Sequence, residues 1–514
     1  MLNTSDTVNW CKKERVQNMK TRTRRLLSSS LSVILSILMV VCAIPMAAFA
    51  QTDAGVTNEP TVIDSVIPDD TLTSDKDDAV IEEEPYVLGE VENLRTETEK
   101  HFRMSDGSYV AVAYGKAVHY QDENEKWQDF NNTLSFVEND TKEDFAGYKS
   151  AKNDVEINFA DDSEASEFVE IKDDDFSMSL DLINAKKSKE IKVENTKEKT
   201  ASEKPTIEEA SELTKFSSSI TYKDILENTD IEYIAYGDNL KENIIVKAKS
   251  EDYIYEFKLN ADGLAAKLEE SGSISLCNEK TGEIEYTIPV GYMFDANGEY
   301  SDAVKYTLNQ NESKTYTLII TADASWINED GRAFPVTVDP SVVKYGNTIS
   351  DSFVSSYISN GNYGEETYLE VGYVPTLGFM RIFSRMNSLP SVPDGAVISS
   401  ATFNMKQYSY ENYGISSLTL AAVEVLASWD EVQMTLDGEG ICWSNMPSCN
   451  SQIIDSATVS EYTNGNLIDF DITVLANKWY SGYSNYGLSI YCTNEYMCSE
   501  TYFANAIFYS SDSS

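Results

Sequence analysis

Trp326-Ile-Asn-Glu-Asp-Gly-Arg332-Ala-Phe-Pro335-Val-Thr-Val-Asp-Pro340, followed after a short spacer by Asp351-Ser-Phe-Val354 and Asn362-Tyr-Gly364, is the stretch on which the reading of this chain turns. Asn328 to Gly331 has the composition of a turn, and Phe334 to Val338 is a short β-run stopped by Asp339-Pro340. Proline lacks a backbone donor and pushes the preceding residue to extended geometry, so a sheet ladder should end there. A new set of short strands begins at Asp351. The stretch reads as the seam between two β domains.

Outward from the seam the same texture continues. Upstream, Tyr109–Tyr114, Val155–Phe159, Phe176–Leu182, Ile231–Tyr236, Tyr253–Leu259 and Thr315–Thr321 are apolar or alternating runs of strand length, separated by Asn, Asp and Gly. Downstream, Thr402–Met405, Leu418–Val425, Leu467–Ile472 and Leu488–Tyr491 do the same. The fold class is therefore all-β: an irregular β-rich domain over 96–345, then a β-sandwich over 346–514. Residues 186–214, rich in Lys and Glu and lacking aromatics, should form a charged insertion, either a short surface helix or a mobile loop.

The N-terminus reads as a secretion signal. Arg22 to Arg25 form a basic start, Leu26 to Val41 an apolar run, and Ala48-Phe-Ala50 a small-x-small site with cleavage expected before Gln51. Residues 51–95 follow as an acidic, aromatic-poor linker that should stay disordered. The expected location is secreted or cell-wall-associated, reached by a Sec-type signal, with no membrane span in the mature chain.

The net charge is −45 at pH 7. Such an acidic surface opposes binding to nucleic acid or anionic membrane, which requires clustered Lys and Arg. Five of the seven cysteines lie beyond the leader: Cys277 stands alone, while Cys442, Cys449, Cys492 and Cys498 fall in the last domain. Export permits disulfides among those four, in any of three pairings.

Catalytic signatures are scarce. The two histidines, His101 and His119, read as half-exposed strand residues, and no Gly-x-Ser-x-Gly elbow, His-Glu-x-x-His helix or phosphate-cradling loop is present. Carboxylates for glycoside hydrolysis are too abundant for any pair to stand out. Asp161-Asp162 and Asp173-Asp-Asp175 offer oxygen ligands for structural calcium, without the glycine-bearing loop of an EF-hand; solvated acidic turns are the simpler reading. No cofactor is expected. Aromatic clusters carry more interest. Tyr408 and Tyr410 have strand spacing and should share one face beside Tyr413, and Tyr480, Tyr483 and Tyr486 surround Gly482. Exposed rings flanked by Asn and Glu suit sugars, packing on their apolar C–H faces while polar neighbours bond the hydroxyls. Trp429, Trp443 and Trp479 read instead as core.

Tyr222-Lys-Asp-Ile-Leu, Asp230-Ile-Glu-Tyr-Ile-Ala-Tyr236, Glu242-Asn-Ile-Ile-Val246, Tyr286-Thr-Ile-Pro289, Asp295-Ala-Asn-Gly298 and Trp326 to Pro340, in that order, resemble the region preceding the repeats of secreted bacterial Rhs/YD-repeat proteins, wall-associated ones included. The resemblance covers roughly His101 to Pro340. From Asp351 onward, Asn362-Tyr-Gly364, Leu369-Glu-Val-Gly372, Arg381, Leu389-Pro390, Phe470-Asp-Ile-Thr473 and Asn485-Tyr-Gly-Leu488 resemble a DNRLRE domain, a module similar to jelly-roll carbohydrate-binding modules. The resemblance implies a jelly-roll-like sandwich, and the chain stops where such a domain would add its last strand. No YD repeats follow. The implied function is a non-catalytic exported protein binding polysaccharide or another surface ligand. The alternatives are the N-terminal scaffold of a toxin-delivery exoprotein and a polysaccharide-acting enzyme.

Overall fold

The computed structural model describes residues 37–45 and 84–511, apart from 141–144, 163–167, 197–201, 345–347, 393–395, 432–439 and a few single positions. Ala48, Ala50 and Gln51, and most of the acidic stretch after them, lie outside the described residues. The protein is all-β and its strand pairs are antiparallel. Among the described residues no helix is long and apolar enough to cross a membrane.

Two large sheets flank the first large core, and a smaller sheet of 264–268, 274–278, 284–288 and 343–344 adds Leu264, Ile274, Leu276, Tyr286 and Ile288 to it. One has eight strands, in the order 304–312, 315–322, 254–262, 177–182, 169–172, 156–160, 145–149 and 135–140. The other has seven, in the order 190–195, 217–226, 229–236, 239–246, 336–339, 292–295 and 300–301. Alternation along these strands sends one face inward, and aromatic rings fill the space between: Phe168 lies 4.6 Å from Tyr222 and Phe159 lies 5.9 Å from Tyr233. Val336–Asp339 pairs on both sides and ends at Asp339, as the following proline requires.

The charged tract 186–214 divides in two. Glu190–Asn195 is an edge strand on Ser217–Leu226, because Ile191 and Val193 alternate with charged residues and pack on the core. Ile207–Ser211 is a short helix whose Thr206 and Glu209 form a capping box. Alternation over so few residues is hidden by the surrounding Lys and Glu.

A second core lies within a nearly closed arrangement of strands 349–355, 368–374, 378–386, 396–413, 417–425, 449–460, 467–471, 488–492 and 503–509. Strand 378–386 pairs with 349–355 on one side and with 368–374 and 488–492 on the other. Phe503–Tyr509 lies between Tyr368–Val374 and the second half of Ala396–Tyr413. The first half of Ala396–Tyr413 pairs with Leu467–Asp471, and the Asp471 N–H donates to Asp455 of strand 449–460 at 2.8 Å, bringing the two ends of the arrangement together. Leu369, Ile382, Met405, Leu420, Phe470 and Phe508 fill this core, capped by Leu475, Ala476 and Trp479 from helix Thr473–Tyr480.

Between the two units sits a ribbon made of Val87–Glu90, Glu99–Met104 and Tyr109–Tyr114. It joins the sheet of the last unit through Ile37–Pro45, which pairs with Tyr109–Tyr114 on one side and Ala396–Met405 on the other. Ala111 and Ala113 face the second core, while Val110, Val112 and Tyr114 face a smaller third one with Phe102, Phe130, Phe216 and Tyr236. Both histidines are in this ribbon region and both are buried rather than half-exposed.

Candidate functional site

The two tyrosine clusters of the sequence do not assemble into one surface. A β-bulge between Gln407 and Ser409 breaks the alternation of strand 396–413. Tyr410 therefore turns into the second core, 6% exposed, and its hydroxyl donates to the Ile415 carbonyl at 2.9 Å. Tyr408 packs instead against Tyr368 at 4.6 Å and Tyr509 at 5.3 Å. The expected shared face is thus replaced by opposite faces. In the other cluster, the Tyr480 hydroxyl bonds the Pro390 carbonyl and its ring packs on the core. The Tyr486 carbonyl receives the Trp429 indole N–H at 2.9 Å. Tyr483 alone is open, 63% exposed, with Lys478 over its ring. Trp429 and Trp479 are buried as expected, and Trp443 is half-buried.

Tyr413 belongs to a different array, on the outer face of the strands that cover the second core. Tyr413 stacks on its cross-strand partner Phe503 with ring centres 4.3 Å apart. Phe503 lies 6.4 Å from Tyr373, which lies 4.9 Å from its own partner Phe379, and Tyr357 meets Tyr373 edge-on at 6.3 Å with the hydroxyls 3.3 Å apart. The rings thus run across four neighbouring strands. Burial, then the Tyr357 hydroxyl, holds the Tyr373 phenol far above its usual range, so the Tyr373 hydroxyl stays protonated.

Glycine sets both ends of this band. A Cβ on Gly378, at φ +73°, would fall 2.2 Å from the Ser356 hydroxyl and 2.7 Å from the Tyr357 ring. A Cβ on Gly414, at φ +101°, would meet the Tyr502 ring at 2.3 Å. The two glycines let Tyr357 and Tyr502 lie against the backbone while staying 59% and 47% exposed.

Beside the band the outer face turns polar. Arg381 follows Phe379 at strand spacing, with its guanidinium 5.1 Å from the Trp443 ring centre, 5.6 Å from that of Tyr491 and 3.5 Å from the Glu495 carboxylate. Farther along, Phe383 and Arg385 meet Trp429 in the same way. The readable signal for this face was the alternation Phe379-x-Arg381-x-Phe383-x-Arg385, four residues on the side of one strand away from the second core, of which Phe383 is buried in a small core of its own with Val354, Val425, Trp429 and Ile441.

The remaining proposed ligands are dispersed. Asp162 lies 3.2 Å from Lys187 and Asp175 lies 2.5 Å from Lys280, so each acidic turn has a solvent-exposed lysine partner. Asp174 lies outside the described residues. Among the described residues no three His, Cys, Asp or Glu side chains converge to hold a metal ion. Cys442, Cys449, Cys492 and Cys498 are free thiols, as is Cys277, in place of the disulfides that export would permit. Local partners take three of them: Cys442 lies 3.2 Å from Ser444, Cys449 3.7 Å from the Pro447 carbonyl and Cys492 3.0 Å from Asn494.

One arrangement resembles a catalytic set and fails on geometry. Ser391, His101 and Glu99 come together, but the Ser391 hydroxyl and the Glu99 carboxylate both approach the same His101 Nε2, each at 3.3 Å. A general-base histidine uses one nitrogen for the nucleophile and the other for its orienting carboxylate. With Ser391 N–H also donating to Glu99 at 3.2 Å, the trio ties two segments together.

Residues 343–512 match the model of Carbohydrate-binding module family 96, a span that contains the whole aromatic band. The chain is 25% identical over 503 residues to the tRNA nuclease WapA of Bacillus subtilis (strain 168), covering 92% of this chain and 20% of that protein. It is likewise 25% identical over 507 residues to the tRNA3(Ser)-specific nuclease WapA of Bacillus spizizenii, at 92% and 20% coverage. The tRNA(Glu)-specific nuclease WapA of Bacillus subtilis subsp. natto aligns over 491 residues at 25% identity, covering 90% of this chain and 19% of that one. The chain thus spans about a fifth of the length of the curated relatives it matches.

Proposed function

We propose that this is a non-catalytic exported or wall-associated protein whose last unit, of the DNRLRE type, binds carbohydrate on the band Tyr357–Tyr373–Phe503–Tyr413. The observation that carries the reading is the coincidence of that band with the stretch matching a carbohydrate-binding module. The exposed Tyr357 and Tyr502 rings and the half-buried Phe503 and Tyr413 give apolar platforms for sugar C–H faces, with the buried Tyr373 ring backing them, and the Tyr357 and Tyr502 hydroxyls and the Arg381–Glu495 pair supply hydrogen-bonding groups at the rim.

The test is binding of the full chain to an array of bacterial-wall, plant and mucin glycans. Losing one stacking ring should weaken binding about tenfold, equivalent to ~1.4 kcal/mol. Tyr357→Ala and Tyr502→Ala should each do so, while Tyr483→Ala should not. A blank array from folded protein, or unaltered binding by both variants, sinks the reading.

A second reading is favoured by the relatives: the chain as the N-terminal scaffold of a longer Rhs-type toxin-delivery exoprotein. Its support is the alignment with one fifth of proteins named as tRNA nucleases. Extending the reading frame discriminates, since YD repeats and a toxic tip would favour delivery and further sandwiches adhesion. Turnover of a bound glycan, lost on carboxylate substitution, would instead favour a polysaccharide-acting enzyme.

A further inference from the structure

Two arginines on the same side of strand 378–386 lie over tryptophan rings and differ in what else they reach. Arg385, 5.2 Å from the Trp429 ring centre, turns its N–H groups to the protein: Nε donates to the Asn387 side-chain oxygen at 3.3 Å and Nη1 to the Trp429 carbonyl at 3.0 Å. Arg381 lies over Trp443 and Tyr491, yet its Nε is buried with no hydrogen-bond partner among the described residues. Glu495 opens the single-turn helix Glu495–Met497, just after strand Leu488–Cys492, and brings its carboxylate to 3.5 Å from the Arg381 guanidinium. Its Oε1 is likewise buried with no hydrogen-bond partner among the described residues.

Buried polar atoms in folded proteins are nearly always bonded, so a cation and an anion side by side, each with an atom left over, call for a cause. The pair is not sealed in: the Arg381 and Glu495 side chains are 33% and 24% exposed, and Arg381 stands two residues along its strand from Phe379 of the aromatic band. A group arriving there must offer an acceptor to the guanidinium and a donor to the carboxylate together. A carboxylate or phosphate would satisfy Arg381 but face the like charge of Glu495, on a chain of net charge −45. An ammonium would satisfy Glu495 but face Arg381. Two adjacent hydroxyls meet both needs, because each oxygen accepts and each O–H donates.

We propose that Arg381 and Glu495 read a pair of adjacent hydroxyls on an uncharged sugar, so that the glycan taken by the last unit is a neutral polysaccharide. The inference rests on the carbohydrate reading of the aromatic band and adds the class of sugar to it. Arg381 donates to one hydroxyl oxygen, Glu495 accepts from its neighbour, and the Trp443 and Tyr491 rings hold the guanidinium between them. Arg385, with its donors already engaged, takes no part.

The test is calorimetric titration of the full chain with cellohexaose, xylohexaose, mannohexaose and N-acetylchitohexaose, and with hexagalacturonate as the acidic counterpart. At least one neutral hexasaccharide should bind about tenfold or more tighter than hexagalacturonate. Its affinity should change by less than about twofold between low and high salt, since no net charge is neutralised on binding. Arg381→Met keeps the stem and removes the donors, and Glu495→Gln keeps the shape and removes the charge; each should weaken the neutral ligand about tenfold. Should Arg381→Met fail to fold, Glu495→Gln carries the test alone. Tighter binding of hexagalacturonate overturns the proposal, as does an affinity for it that rises in Glu495→Gln to exceed that for the neutral sugars. Unaltered neutral binding by both variants, while Tyr357→Ala and Tyr502→Ala still lose it, removes the hydroxyl pair and leaves the carbohydrate reading standing. A blank with every sugar removes both.

Discussion

Tyr408 and Tyr410, two residues apart on one strand, face opposite sides of it, because Tyr408 is itself the extra, unpaired residue of the bulge between Gln407 and Ser409. The consequence is a split in what each ring does. Tyr410→Ala empties a buried aromatic site and should cost about 3–5 kcal/mol. Tyr410→Phe, which removes only the bond to the Ile415 carbonyl, should cost ~1 kcal/mol. Tyr408→Ala should cost less than Tyr410→Ala, since Tyr408 is half-buried on the outer face, where its ring packs on Tyr368 and Tyr509. Urea unfolding of the three variants checks the order.

Arg332, just ahead of strand Val336–Asp339 in the first unit, has a fully buried side chain and stacks 3.5 Å from the Trp326 ring centre. It reaches Asp295 at 3.4 Å, Glu299 at 2.5 Å and Glu329 at 2.9 Å. Removing the cation leaves the equally buried Asp295 carboxylate with the backbone N–H groups of Asn297, Glu299 and Ala333 but without the guanidinium, so Arg332→Ala should cost roughly 3 kcal/mol. Arg332→Lys should recover only part of this, because an ammonium cannot stack and fork at once. Thermal unfolding of both variants measures the difference.

Glu242 gives the protein an alkaline weakness. Burial pushes its carboxyl up to about 8 from an ordinary value of 4.5; the Tyr233 hydroxyl at 2.8 Å opposes the rise and Asp339 adds to it. A carboxyl raised in the folded state favours folding in full below pH 4.5, and that contribution is lost as pH climbs through about 8. Glu242→Gln removes the titration. Its melting temperature relative to the unmodified protein should rise between pH 5 and pH 9; a constant difference would contradict the assignment.

The thiols of the last unit should respond unequally to alkylation. Burial pushes Cys492 up to about 12 and raises Cys498 and Cys449 as well. The thiolate is the reactive form, so iodoacetamide at neutral pH should label Cys492 slowly in the native protein. Under denaturing, non-reducing conditions Cys442, Cys449, Cys492 and Cys498 should all be labelled. Mass spectrometry distinguishes this outcome from a disulfide.

The all-β class was legible in the sequence because each short apolar run is bounded by turn formers, and that pattern is local. The stop at Asp339-Pro340 was legible for the same reason: a missing backbone donor acts on its own ladder. The edge strand 190–195 was masked by the charges around Ile191 and Val193. The band from Tyr357 to Tyr413 was beyond local reading, since it exists only where strand register sets Tyr373 opposite Phe379 and Tyr413 opposite Phe503. One bulge then moved Tyr410 from the surface to the core, a change invisible in a residue pattern of period two. Residues 37–45 mark the boundary between the two kinds of knowledge. Their composition fixes that they must leave water, while only the long-range pairing of 109–114 with them, and of them with 396–405, decides that a sheet is where they go.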